Sequence, residues 1–313
     1  MFYFWRNIQN NKKHEISYSS FCLYEYLVKE VIIPNIPDKP INSISEIDCR
    51  NFKEYLYNSH YSTARKNSIL NHLRNIFFHA HTYFELNRDP SAQIRPFKVK
   101  YEERMKSYSR EQNIWTYDDF NKFIVNVTDV EYEALFITLF LTGMRLGESL
   151  ALNWNDLHEK YISITKAQCK KCAQGGYIIK EPKNPQSIRK VSINSTLYRY
   201  LMTLKSIKSV DDQFSDSWFI FGGIDPLPRT TIERVKNKAA KKAGIKKIRL
   251  HDLRHSHASN LIGSGMDIVA VSRRLGHSDV STTLKVYTHM IKKNDDLIVE
   301  YIEESSHDLL TDK

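Results

Sequence analysis

The sequence predicts a mainly α-helical protein with one small antiparallel β-sheet, arranged as two domains. Three observations lead there. Apolar residues recur at three- and four-residue spacing over most of the chain. Between Lys160 and Ile193 that period gives way to short alternating runs broken by Gly and Pro. From Pro90 to Gln112 the chain is polar, charged and short of large aliphatic side chains, which separates two core-forming halves. With 313 residues there is enough chain for two hydrophobic cores.

The elements follow in order. Tyr18 to Val31 has an amphipathic pattern that stops before Pro34. Ser43-Ile44-Ser45-Glu46 has the composition of a helix start, with Phe52, Tyr55 and Leu56 at helical spacing behind it. A long helix is expected from Ser62 to about Leu86, with Ile69, Leu73, Ile76 and Phe77 on one face, closed by Asn87-Arg88-Asp89-Pro90. Thr116 caps a new helix whose first turn carries Asp118 and Asp119. Ala134 to Met144 reads as a buried helix, followed by one from Glu148 to Trp154. The alternating runs Tyr161–Thr165, Tyr177–Ile179 and Arg189–Ile193 supply the sheet. Further helices are expected after Ser195, at Thr230 to Lys242, His251 to Ile262, Asp267 to Leu275 and Ser281 to Tyr287, and in the tail at Asn294 to Ser305. The domain boundaries are 1–95 for a helical domain, 96–112 for a linker, 113–291 for a second domain and 292–313 for a tail helix.

Composition narrows the class. Hydrophobic residues make up 41% and charged residues 26%, ordinary for a soluble globular protein. The net charge of +10, with a pI near 9.2, favours a polyanionic partner: nucleic acid or an anionic membrane surface. Cys22, Cys49, Cys169 and Cys172 are too few for a disulfide framework in a chain this long. The apolar N-terminal run is too short for a signal peptide, and Ala134–Met144 is too short to span a bilayer. The expectation is a cytoplasmic protein with no membrane insertion.

Four segments carry chemistry. In Thr142-Gly143-Met144-Arg145-Leu146-Gly147-Glu148, two glycines flank Arg145 and allow close backbone approach, and Glu148 is placed to orient the guanidinium. In His251-Asp252-Leu253-Arg254-His255, a proton-exchanging ring and an oxyanion clamp stand three residues apart on one helix face. In Leu275-Gly276-His277, Gly276 reads as a helix C-cap that turns His277 into a bend. Tyr287 lies on a short Ser/Thr-rich segment beyond. Each segment alone has a plain structural explanation, and with 18 tyrosines in the chain a packed aromatic is the ordinary reading of Tyr287. Together, a phenol with two guanidiniums and two imidazoles suggests covalent attack on a phosphodiester, with no metal or other cofactor. A rival zinc site from Cys169, Cys172, His251 and His255 is disfavoured. Its halves lie roughly 78 residues apart, against about 12–15 in zinc-finger modules.

In order and spacing, these four segments resemble the tyrosine recombinase family, the phage-type integrases. The resemblance covers Thr116 to about Ile291 closely, and matches more loosely around Ile33–Ile47 and Asn87–Pro90. It implies a helical SAM-like core-binding domain followed by the family's α+β catalytic domain. It also implies that Arg145 and Arg254 hold the scissile phosphate, that His251 and His277 support them, and that Tyr287 is the nucleophile. The family uses a lysine on a β-hairpin, and the best match here is Lys183. Asn184-Pro185 stands where a threonine usually follows, so Lys180 and Lys166 remain rivals. From its start near the core-binding region, the chain is expected to lack the arm-binding domain of many members, as a natural two-domain form or a shortened one. The implied activity is site-specific strand exchange on double-stranded DNA through a 3′-phosphotyrosyl intermediate, for a phage or other mobile element. A type IB topoisomerase-like nicking and religating enzyme, or a catalytically silent DNA-binding protein, would share many of these residues. Lys236, Lys238, Lys241, Lys242, Lys246 and Lys247, clustered ahead of His251, are the expected phosphate-backbone contacts. Assembly as a tetramer on DNA, with the tail helix docking in a neighbour and with accessory DNA-bending proteins as possible partners, completes the expectation.

Overall fold

The computed structural model describes residues 18–99, 101, 103, 113–170, 176–181, 187–277, 279–281, 284 and 299. They fall into two compact units, the first within residues 1–107 and the second holding most of the remaining chain. The expected helix from Ser281 to Tyr287 and the tail helix lie largely outside the described residues.

The first unit is helical. Helix α1 (Tyr18–Leu27) runs into a π-helical turn, Val28–Ile32, and a 3-10 turn, Ile33–Asn35. The wider turn directs Val28, Val31 and Ile32 inward, and Pro34 follows where no helical N–H is required. Helix α2 (Glu46–Asn58) starts at a reciprocal cap. The Ser45 hydroxyl accepts from Asp48 N, and the Ser45 N–H donates to the Asp48 carboxylate. Helix α3 (Thr63–Tyr83), capped by Ser62, ends three residues before the end its pattern suggested. Glu85 takes a left-handed φ of 52°, and the N–H groups of Phe84 and Leu86 both converge on the Ala80 carbonyl, which closes the helix. Phe52, Leu56, Ile69, Leu73, Ile76 and Phe77 form the core. Asn67 on α3 bonds both the N–H and the C=O of Phe97, fixing the chain that leaves the unit.

The second unit carries the candidate site. Helix α4 (Tyr117–Ile124) has a capping box between Thr116 and Asp119, as the sequence predicted. Helix α5 (Val130–Thr142) is almost wholly buried through Ala134, Leu135, Phe136, Leu139 and Phe140, and Phe120 stacks on Phe140 at 3.9 Å. It ends at Gly143 with φ 65°, a left-handed C-cap that glycine adopts without penalty. Only one turn follows, α6 (Leu146–Ser149), then a 3-10 turn at Trp154–Asp156, where a longer helix was expected. The break buries both Leu152 and Trp154.

The strands β1 (Tyr161–Ile164), β2 (Ala167–Lys170), β3 (Tyr177–Lys180) and β4 (Arg189–Ser192) pair as β1 with β4 and β2 with β3. The β1–β4 register sets Ile162 opposite Val191 and Ile164 opposite Arg189. Ile162, Ile164 and Val191 are buried, so Arg189 lies on the inward face of β4. Helices α7 (Ser195–Lys208), α8 (Arg229–Lys242), α9 (Asp252–Gly263) and α10 (Ile268–Leu275) complete the described unit. Helix α10 ends at Gly276 in the left-handed region, φ 70°. Trp115 ties the start of the unit to α9: its N–H donates to Ser256 Oγ and its carbonyl accepts from Asn260.

Candidate active site

The site is assembled from the two glycine-capped helix ends and the start of α9. Arg254, one turn into α9 and 4% exposed, donates from Nη1 to the Gly143 carbonyl (2.8 Å) and from Nη2 to the Leu275 carbonyl (2.7 Å). One guanidinium therefore joins the end of α5 to the end of α10. Two residues beyond the first anchor stands Arg145, and two beyond the second stands His277. Glycine is required at the first anchor: a methyl at Gly143 would lie 2.5 Å from Cδ2 of His257.

Arg145 precedes α6 with a half-exposed side chain. Its Nη1 and its backbone N–H both donate to the Glu148 carboxylate, at 2.7 and 2.8 Å. Glu148 is 3% exposed. Burial works to raise its pKa, but the hydrogen bonds and charge of Arg189, then those of Arg145, outweigh it and hold the group below the usual carboxylate range. The carboxylate is thus a fixed anion that aims Arg145.

The imidazoles are tuned in one direction. His277 is drawn down to about 4 by burial and then by the charges of Arg254, Arg145, His255 and Arg189. His251 stands at the N-terminal boundary of α9, its ring edge-on to His255 at 5.0 Å. It remains exposed, yet crowding of the ring, then the charges of His255 and Arg254, lower it to about 4. Both rings are neutral at pH 7 without a bound anion, so each has a nitrogen able to accept a proton.

The structure thus gathers Arg145, His251, Arg254 and His277. Lys183 and Tyr287 lie outside the described residues. Of the rival lysines, Lys166 is paired with Asp156 at 2.9 Å, and Lys180 stands exposed at the end of β3. One expectation is corrected. Lys236 was grouped with the phosphate-contacting lysines, but it is fully buried, and its ammonium donates to the Ile248 carbonyl and to Glu233 at 2.7 Å. It ties α8 to the approach to α9 and does not face solvent. Lys238, Lys241, Lys242, Lys246 and Lys247 are all exposed.

Three residues escaped the sequence reading. Arg189 grips Glu148 from β4, at 2.9 and 3.2 Å. His257 is buried, with Nδ1 donating to the Phe140 carbonyl at 2.8 Å and Nε2 accepting from Arg274 Nε at 3.0 Å. Arg274 also donates to the carbonyls of Leu141 and Ser192. A usable signal existed for Arg189: the alternation Arg189-Lys190-Val191-Ser192-Ile193 puts it on the same strand face as Val191.

Residues 115–294 match the model of the phage integrase family, and residues 4–57 match that of the phage integrase N-terminal SAM-like domain. The chain belongs to the phage integrase family, the tyrosine recombinases. It is similar to the ICEBs1 integrase of Bacillus subtilis (strain 168), 29% identical over 274 residues that cover 85% of this chain and 72% of that protein. It is also similar to the integrase of Staphylococcus phage L54a, 31% identical over 221 residues covering 66% of this chain and 62% of that one. Among solved structures, a lambda integrase fragment, a dimer bound to a core site, shares the fold with a TM-score of 0.66 and 17% identity, covering 90% of this chain and 96% of that one. A Tn1549 transposon integrase in complex with transposon right-end DNA does so with a TM-score of 0.63 and 19% identity, covering 90% and 92%. No helix among the described residues is long and apolar enough to cross a membrane.

Proposed function

We propose that the chain cuts and rejoins double-stranded DNA at specific sites through a covalent tyrosyl intermediate, as the integrase of a phage or other mobile element. The observation that carries this reading is the Arg254 bridge. It joins the helix end before Arg145 and the helix end before His277 to the start of α9, which supports a point there where anionic oxygens would be held.

In this reading the Tyr287 hydroxyl attacks the scissile phosphorus. A phenol with an ordinary pKa near 10 needs help to lose its proton at neutral pH. His251, neutral and exposed, accepts that proton and returns it in the reverse step. Charge gathers on the nonbridging oxygens of the pentavalent transition state. The guanidiniums of Arg145 and Arg254 meet it with directed N–H donors. Loss of one such preorganised donor typically costs about 3–4 kcal/mol of transition-state stabilisation. Lys183 protonates the departing 5′ oxygen. One phosphoester replaces another, so no nucleotide hydrolysis is needed, and attack by a 5′ hydroxyl from a second strand completes the exchange.

The exposed lysines of α8 and the loop after it supply salt-dependent contacts to the DNA backbone. In the domain scheme, residues 1–95 form the core-binding domain, 96–112 the linker, 113–291 the catalytic domain and 292–313 the tail, which docks in a neighbour within a tetramer. A cytoplasmic location and assistance from accessory DNA-bending proteins accord with this role. The test is a nicked suicide DNA substrate analysed on a denaturing gel. A covalent adduct is expected with the wild-type chain and none with Tyr287→Phe. Absence of an adduct from the wild type, or an undiminished adduct in the variant, overturns the reading.

A further inference from the structure

Arg189 is a heavily committed charged side chain near the site that the mechanism above does not use. It lies on the inward face of β4, its side chain 8% exposed. Nη2 donates to Glu148 Oε2 at 2.9 Å and Nη1 to Oε1 at 3.2 Å, a two-pronged grip on the carboxylate that aims Arg145. Nε donates to the Arg274 carbonyl at 2.9 Å, in the last turn of α10, and Nη1 also reaches the Ser187 carbonyl at 3.2 Å. The side chain lies against Gly276, where an added methyl would be 3.0 Å from both Cδ and Nη1 of Arg189.

We propose that Arg189 is a positioning residue for strand cleavage: through Glu148 it fixes the direction of Arg145, and through the end of α10 it fixes the bend that carries His277. The proposal rests on the recombinase reading above.

The reasoning is one of geometry and charge. Glu148 makes two bonds to Arg145 and two to Arg189, so both carboxylate oxygens are engaged from both sides. If Arg189 is lost, a buried carboxylate faces a single partner and turns toward protonation. A protonated Glu148 no longer anchors Arg145 by charge. Displacement of a phosphate-holding group by about 1 Å is enough to lower a rate about a hundredfold. Arg189 never touches the DNA in this scheme, so affinity should change little while the chemical step slows.

The test compares wild type, Arg189→Lys, Arg189→Gln, Glu148→Gln and the Arg189→Gln/Glu148→Gln double variant. Single-turnover cleavage of the suicide substrate is measured at saturating DNA, alongside binding of the same duplex. Arg189→Lys keeps the buried charge but loses the two-pronged grip. It is expected to fold and to cleave about tenfold or more slowly, with binding within about twofold. The double variant should lose less than the two single losses multiplied together, because the two residues share the route through Glu148 while Arg189 keeps a second one through α10. The groups that face Glu148 are Arg145 on its own element and Arg189 from β4, with Arg229 of α8 beside neighbouring Gly147. With Arg189 replaced, the acidic limb of the cleavage profile should move to higher pH, a change that general loosening of the fold would not produce.

Wild-type rate and pH profile in Arg189→Lys, or fully additive losses in the double variant, overturn the proposal. If Arg189→Gln does not fold, the Arg189→Lys comparison still decides. Failure of the wild type to form an adduct would instead refute the recombinase reading, so the two failures are distinguishable.

Discussion

Replacing Gly143 with alanine should damage the second unit far more than the same change at Gly244, although both glycines have nearly the same backbone angle. Gly143 has φ 65° and Gly244 φ 66°. Each substitution places an L-residue in the left-handed region, at about 1–2 kcal/mol, partly offset by a less flexible unfolded chain. At Gly244 nothing lies within 4 Å of the added methyl, so the backbone cost of about 1 kcal/mol is the whole effect. At Gly143 the methyl meets Cδ2 of His257 at 2.5 Å and Cδ2 of Leu275 at 2.9 Å. His257 has little room to retreat, because it is held between the Phe140 carbonyl and Arg274. Overpacking of this kind adds about 1–3 kcal/mol. For a unit this size each kcal/mol moves the midpoint by about 2–4 °C, so Gly143→Ala should melt roughly 10 °C lower and Gly244→Ala roughly 3 °C lower. Thermal and urea unfolding followed by tryptophan fluorescence suit the measurement, since Trp115, Trp154 and Trp218 all belong to this unit. Gly143→Ala should also lose cleavage at temperatures where it is folded, because the Gly143 carbonyl holds Arg254. Equal midpoints for the two variants would refute the reasoning.

Two other outcomes concern a buried imidazole and the exposed lysines. His257 is held near 4, chiefly by burial and then by Arg274, against an ordinary value of 6.5. The unfolded chain gains a proton there that the native ring resists, so stability is full above pH 6.5 and is lost as pH falls toward 4, by about 3 kcal/mol in all. Urea midpoints from pH 7.5 to 4.5 should show a shallower decline in His257→Gln, and an unchanged decline would refute the assignment. Charge reversal at Lys241 and Lys242 should weaken DNA binding and flatten its salt dependence. Lys236→Met should leave that slope unchanged, and fluorescence anisotropy across a salt series distinguishes the two.

Much of this site could be read from local sequence. Gly143 and Gly276 announce the two helix ends, Thr116 and Ser45 the two capped starts, and the spacing of His251 and Arg254 their shared turn. These features depend on neighbours within about four residues, where chain geometry leaves little choice. Arg189 meets Glu148 across 41 residues and Arg274 across 85. No local rule pairs them, and its inward orientation shows only once β4 is set in register with β1. Lys236 misled for the converse reason. A lysine among lysines reads as solvated surface, yet its place on the α8 face that packs inward buries it, with the Ile248 carbonyl as acceptor. The short α6 was also hidden, because the residues after it are as apolar as a helix face.

Two anchors of Arg254 are peptide carbonyls. A carbonyl is present whatever residue occupies the position, so replacing the Leu275 side chain alters packing but cannot delete the acceptor. These two bonds are therefore insulated from most single substitutions around them. Their weak points are changes that redirect the main chain at the two helix ends, so saturation mutagenesis of residues 143 and 276 reports directly on both.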